Sequence, residues 1–104
     1  MIYKLLLTIS ISGFACLTIA QSADNLWQKG VDEYKKKNYH GVINKMSRYM
    51  EIKPDNSGAY YNRGLAKFRL GDIDDACNDW NKAKALGFNK KKMLSRYYCD
   101  PLYK

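Results

Sequence analysis

His40 is the only histidine in the chain, and it stands between Tyr39 and Gly41 in what reads as an inter-helix turn. No serine, cysteine or acid is spaced with it as a nucleophilic triad requires, so its sequence context is that of an exposed turn residue. Three further groups could do chemistry. The cysteines are Cys16, Cys77 and Cys99, and the last two with His40 could supply three metal ligands. An exported chain would instead pair Cys77 with Cys99, because an oxidising compartment favours the disulfide over a zinc-type site. Asp72, Asp74, Asp75 and Asp79 crowd one short stretch, and a helix start whose positive dipole end attracts carboxylates accounts for them without calcium. No cofactor and no metal are expected, and the residues point away from an enzyme.

Binding residues are more plentiful. The net charge is +8, basic without being extreme, and the lysines cluster at Lys35-Lys36-Lys37 and Lys90-Lys91-Lys92. Solvated helix ends explain such runs, and contact with a polyanion through these lysines together with Arg63 and Arg69 is the competing reading. No base-reading motif accompanies the charge, so nucleic acid is not the expected target.

Export itself is read from the first twenty residues. Lys4 precedes an apolar run from Leu5 to Ala20, too short for a comfortable membrane span and ending in the small-residue stretch Thr18-Ile19-Ala20. This is the pattern of a secretory signal peptide, residues 1–20, with cleavage after Ala20. A lipoprotein signal with Cys16 lipidated is the alternative, although Gly13 stands where that signal carries an aliphatic residue. The expected location is periplasmic or secreted, with no transmembrane anchor in the mature chain. Residues 21–104 suffice for one small domain and exclude a second.

The elements that must hold these residues repeat. Gly30 recurs as Gly64, 34 positions on, and at the same offset Leu26 meets Tyr60, Trp27 meets Tyr61, Tyr34 meets Phe68, Tyr39 meets Ile73, Val42 meets Ala76, Met46 meets Trp80 and Ile52 meets Leu86. A period of this length is that of a stacked helical repeat. Within the first unit, about 23–56, apolar spacing gives one helix from Asp24 to Lys36 and a second, capped by Asn38, that ends before Lys53-Pro54. The second unit, about 57–88, repeats the plan with Ala59 to Leu70 and Ile73 to Leu86. Asp72 and Asp75 form its capping signal and Gly87 its left-handed stop. A last helix, about 89–99 and capped by Asn89, brings Met93, Leu94, Tyr97 and Tyr98 over the open end of the stack, where a Cys77–Cys99 bond would tie it down.

These residues resemble the tetratricopeptide repeat (TPR). The run from Ala59 to Ala66, Leu70-Gly71-Asp72, Ala76, Trp80, Ala83 and Leu86-Gly87 carry the likeness in the second unit, which looks like that of short secreted bacterial members. Gly30, Tyr34, Asn38-Tyr39, Ile52 and Pro54 carry it in the first, where Val42 and Tyr49 replace alanines and Glu33 replaces an aromatic. The resemblance implies an all-α fold: two TPR helix-turn-helix hairpins stacked as a short right-handed solenoid, with a C-terminal capping helix. It implies a concave groove lined by the first helix of each unit, at Trp27, Gln28, Val31, Tyr34, Lys35, Tyr61, Asn62, Leu65, Phe68 and Arg69, holding a protein or peptide partner. Whether the four aromatics among them line a groove or pack neighbouring helices stays open. The family's clamp for a chaperone's terminal carboxylate would need lysine and asparagine where Trp27 and Val31 stand, and only Asn62 matches, so that specificity is rejected. Leu26 and Trp27 at the uncapped end suggest a homodimer through the N-terminal helix.

Overall fold

The computed structural model describes residues 22–89 and 95–100. The expected signal segment, Lys90 to Leu94 and Pro101 lie outside them. The described residues are all-α. A first helix, α1, covers residues 22–35, followed by α2 (Tyr39–Ile52), α3 (Ser57–Arg69), α4 (Ile73–Ala85) and a short α5 (Ser95–Tyr98). α3 packs against α2 on one side and α4 on the other, and α4 carries α5, so adjacent helices stack as a short helical repeat.

Local chemistry sets the helix boundaries. The Asn38 side chain accepts a hydrogen bond from the Gly41 amide at 3.2 Å, and Asn56 accepts one from Gly58 at 2.9 Å, so each asparagine satisfies an otherwise orphaned donor in a first turn. Asp72 departs from expectation: it occupies the N-cap of α4 but makes no side-chain cap bond. The acids Asp74 and Asp75 in that first turn still complement its dipole. His40 also departs, lying exposed within the first turn of α2 rather than in the connection.

Three helices end in the same way. The Asn38 amide reaches the Glu33 carbonyl at 2.9 Å, Asp72 reaches Lys67 at 2.9 Å and Phe88 reaches Ala83 at 2.9 Å, each closing a Schellman turn. The residue inside each turn has positive φ: Lys37 at 61°, Gly71 at 85° and Gly87 at 95°. Glycine enters that region without a Cβ clash; Lys37 does so in the frame position that Gly71 holds 34 residues later.

The sequence repeat is a repeat of burial. Met46 and Trp80 are both fully buried, Val42 and Ala76 nearly or fully so, and Tyr49 and Ala83 share a third buried frame position. Ala23, Leu26, Val42, Met46, Tyr49, Met50, Ala59 and Ala66 form one core cluster, and Ala76, Trp80 and Ala83 form a second. Tyr60 packs against both and joins them. Leu26 is therefore buried, and Trp27 is half-buried with its ring 5.2 Å from that of Tyr49. The exposed apolar pair on which a homodimer through α1 was expected is not found.

The two frame glycines sit differently. A Cβ on Gly64 would lie 2.5 Å from Trp80 Nε1 and 3.2 Å from the Ala76 carbonyl, whereas one on Gly30 would meet the terminal methyl of Met46 at 2.6 Å. An indole that is fully buried has nowhere to go, but a methionine end can rotate. Gly64→Ala should therefore destabilise by about 1–2 kcal/mol even after the helix-propensity gain of alanine, while Gly30→Ala should stay within about 1 kcal/mol of the parent. Urea midpoints of the two variants, measured side by side, test this difference.

Cys77 on α4 and Cys99 beyond α5 are joined by a disulfide, with Cα atoms 5.6 Å apart. A four-residue helix has too few internal bonds to persist alone, so its place depends on this bond and on Tyr98, whose ring lies 4.7 Å from Phe68. Tyr97, expected in the lid contact, is mostly exposed. Closing a loop of 22 residues stabilises by about 3 kcal/mol at most on chain-entropy grounds. Cys77→Ser with Cys99→Ser should lower the melting temperature accordingly and raise amide exchange in α5 before any other helix.

Candidate functional site

α1 and α3 are the first helices of the two units, and between them lies a cavity of about 220 Å³. Gly30, Val31, Tyr34 and Lys35 line it from α1, Asn62 and Leu65 from α3, and Val42 with Met46 form its floor from α2. Helical spacing puts residues 31, 34 and 35 on one face of α1 and residues 62 and 65 on one face of α3. The lining is largely aliphatic, with an amide, a phenol and an ammonium as its polar groups.

Arg69 stands one turn beyond Leu65 on α3 and is exposed, and its guanidinium pKa is raised above its ordinary value, chiefly by the neighbouring Tyr34 side chain. Tyr34 in turn packs edge-on against Tyr39, with centroids 5.6 Å apart. Burial, and secondarily the nearby Tyr34, hold the Tyr61 phenol above its usual range. The cavity thus has a margin at which Lys35 and Arg69 both remain exposed.

Of the ten expected groove residues, five line this cavity: Val31, Tyr34, Lys35, Asn62 and Leu65. Arg69 is not in the lining but stands exposed one turn beyond Leu65. The other four do not meet there. Gln28 is exposed and donates to Asp32 one turn on, at 3.2 Å. Trp27 packs on Tyr49, Tyr61 stacks on Phe88 at 4.3 Å, and Phe68 lies between Trp80 and Tyr98, at 5.7 and 4.7 Å. All four aromatics thus meet a neighbouring ring, and of the four Tyr34 also lines the cavity. Gly30, Val42 and Met46 were not expected as lining. Their place in the 34-residue frame, opposite the gap between α1 and α3, was the available signal.

The cations divide as well. Arg63, expected on the basic surface, is instead clamped on Asp79: Nε donates to Oδ2 at 2.8 Å and Nη2 to Oδ1 at 2.7 Å. Its Nη1 donates to Ser47 at 3.1 Å, and its plane lies 5.7 Å from the Tyr60 ring centre. The hydrogen bonds to Asp79 raise the Arg63 pKa against the opposing effect of burial. Lys67 adds a second ion pair to Asp79 at 3.0 Å. Asp79 is buried, so it does not belong with the exposed acids at the start of α4. Lys35, Lys36 and Lys37 are exposed, as a solvated helix end predicts.

Among the described residues, no three histidine, cysteine or acidic side chains gather as a metal site would require. No helix among them is long and apolar enough to cross a membrane.

The fold and the cavity define a short all-helical repeat whose two units enclose a binding-sized hollow. Comparison with known proteins agrees at that level. Over 88 residues the chain is 27% identical to the E3 ubiquitin-protein ligase TTC3 of Mus musculus, and equally to that of Rattus norvegicus, covering 85% of this chain. The chain spans about 4% of the length of these relatives. The likeness is consistent with a TPR-like helical repeat. No protein-family model matches the chain. No solved structure matches it.

Proposed function

We propose that this protein is a non-enzymatic interaction module of the bacterial envelope or exterior, which holds a peptide or an extended partner segment in the groove between α1 and α3. The observation that carries this reading is the apolar cavity with Lys35 and Asn62 in its lining and Arg69 exposed one turn beyond Leu65. Export is supported by the leader-like residues 1–20, and the bonded Cys77–Cys99 pair suits an oxidising compartment.

The test is capture of partners at low and high salt, with the parent beside Asn62→Trp, which places an indole in the cavity mouth. Variants at Trp27 or Phe68 would not serve, because both rings pack the helices together. A partner retained at high salt and lost with Asn62→Trp supports groove binding, since buried apolar contact is little screened. Partners lost in salt but indifferent to Asn62→Trp would instead assign the work to the exposed Lys35-Lys36-Lys37 surface, binding an anionic glycan or lipid headgroup.

A further inference from the structure

We propose that the cavity takes a single aromatic or branched aliphatic side chain from an acidic segment, whose carboxylates pair with Lys35 and Arg69. This deepens the groove reading and rests on it.

Size comes first. An apolar cavity of about 150 Å³ accommodates benzene, and pockets for whole small molecules run to about 300–1,000 Å³. At about 220 Å³ this hollow fits one ring or one branched side chain and little more. Val31, Val42, Met46 and Leu65 offer it aliphatic contact, and the rotatable end of Met46 over Gly30 lets the floor adapt to either shape.

Charge then selects what surrounds the anchor. Arg63 and Lys67 are committed to Asp79. Two acids on α1 are also engaged, Asp32 by Gln28 and Glu33 by Asn38 at 2.6 Å. Among the described residues, neither Lys35 nor Arg69 pairs with a carboxylate. Arg69 is exposed one helical turn beyond the lining residue Leu65, and its planar guanidinium can bind a carboxylate in bidentate fashion. Asn62 adds an amide that can accept from or donate to the segment's backbone. An acidic segment with one apolar anchor complements this surface; a basic one meets Lys35, Lys36 and Lys37 and is repelled.

Three twelve-residue fluorescent peptides on one backbone test the assignment by anisotropy: an acid-rich peptide with a central phenylalanine, the same with alanine for phenylalanine, and the same with lysine for every acid. The first should bind. Loss of the anchor should weaken binding by at least about tenfold, and so should reversal of the peptide charge. The double variant Lys35→Glu, Arg69→Glu, with an unchanged far-ultraviolet spectrum, should reverse the preference and favour the lysine peptide. Gain of that binding cannot come from misfolding.

Equal binding of the phenylalanine and alanine peptides, binding of the lysine peptide to the parent, or no binding at all overturns the proposal. So does displacement of the acidic peptide by heparin with no dependence on the anchor. If partners captured at high salt are lost with Asn62→Trp while the peptides show no selectivity, this inference fails and the groove reading stands. If capture ignores Asn62→Trp, the groove reading itself fails.

Discussion

Trp80→Ala should destabilise the protein by about 3–5 kcal/mol, the range for removing a large buried aromatic with incomplete collapse of the hole. Trp80 is fully buried, and its ring lies 5.7 Å from Phe68 and 6.5 Å from Tyr61. Its indole N–H also donates to the Tyr61 carbonyl at 3.3 Å, so the substitution removes both a ring and a donor. The second core has only Ala76 and Ala83 as its other fully buried members, and alanines cannot move in to fill the space. In a domain of this size each kcal/mol shifts the melting temperature by about 4–8 °C, so a shift of some tens of degrees is expected. Circular dichroism melting measures it, and Trp27 remains as a fluorescent reporter of the first core. A shift of only a few degrees would show that α3 and α4 are held together by something other than this ring.

Asp79→Ala should cost about 2–4 kcal/mol. Breaking a buried ion pair by removing one partner typically costs about 3–5 kcal/mol, because the remaining charge is left without its partner. Here Asp79 is 6% exposed while Arg63 and Lys67 are 22% and 18% exposed, so both cations recover some hydration and the lower part of the range applies. The bidentate geometry makes Arg63 the main loss and Lys67 the lesser. Replacing Arg63 and Asp79 together should restore much of the stability, and a double-mutant cycle built on urea titrations isolates the coupling. Additive losses would mean that the pair contributes nothing as a pair. High salt should change the parent's stability little, since a buried pair is poorly screened.

Asp79 also illustrates where sequence reading ends. Among Asp72, Asp74, Asp75 and Asp79, the acid in the first turn of a helix and the acid one turn deeper look alike in one dimension. Only Asp79 lies between Ala76, Trp80 and Ala83 on the buried face, and only the packing of α4 on α3 puts it opposite Arg63, 16 residues earlier. The same holds for the rings. Trp27, Tyr61 and Phe68 occupy frame positions suited to a groove, yet each meets another aromatic from a neighbouring helix or from the chain beyond it. Large rings take whichever apolar contact the stack brings nearest, and spacing along one helix does not reveal that contact.

By itself the sequence determined what is local or periodic: the all-helical architecture, the ends of α1 to α4 within a residue or two, the asparagine cap at 38, and the positive-φ stop at Gly87. Caps, turns and helical faces depend on residues a few positions apart, whose interactions the chain order encodes directly. Tertiary structure alone decided the commitment of Arg63 to Asp79, the burial of Leu26, and the hollow that gathers Val31, Tyr34, Lys35, Asn62 and Leu65 over Val42 and Met46. Those depend on how closely three helices approach and which side chains reach across the gaps. That distance is set by the sum of all the packed volumes, not by any one stretch of chain.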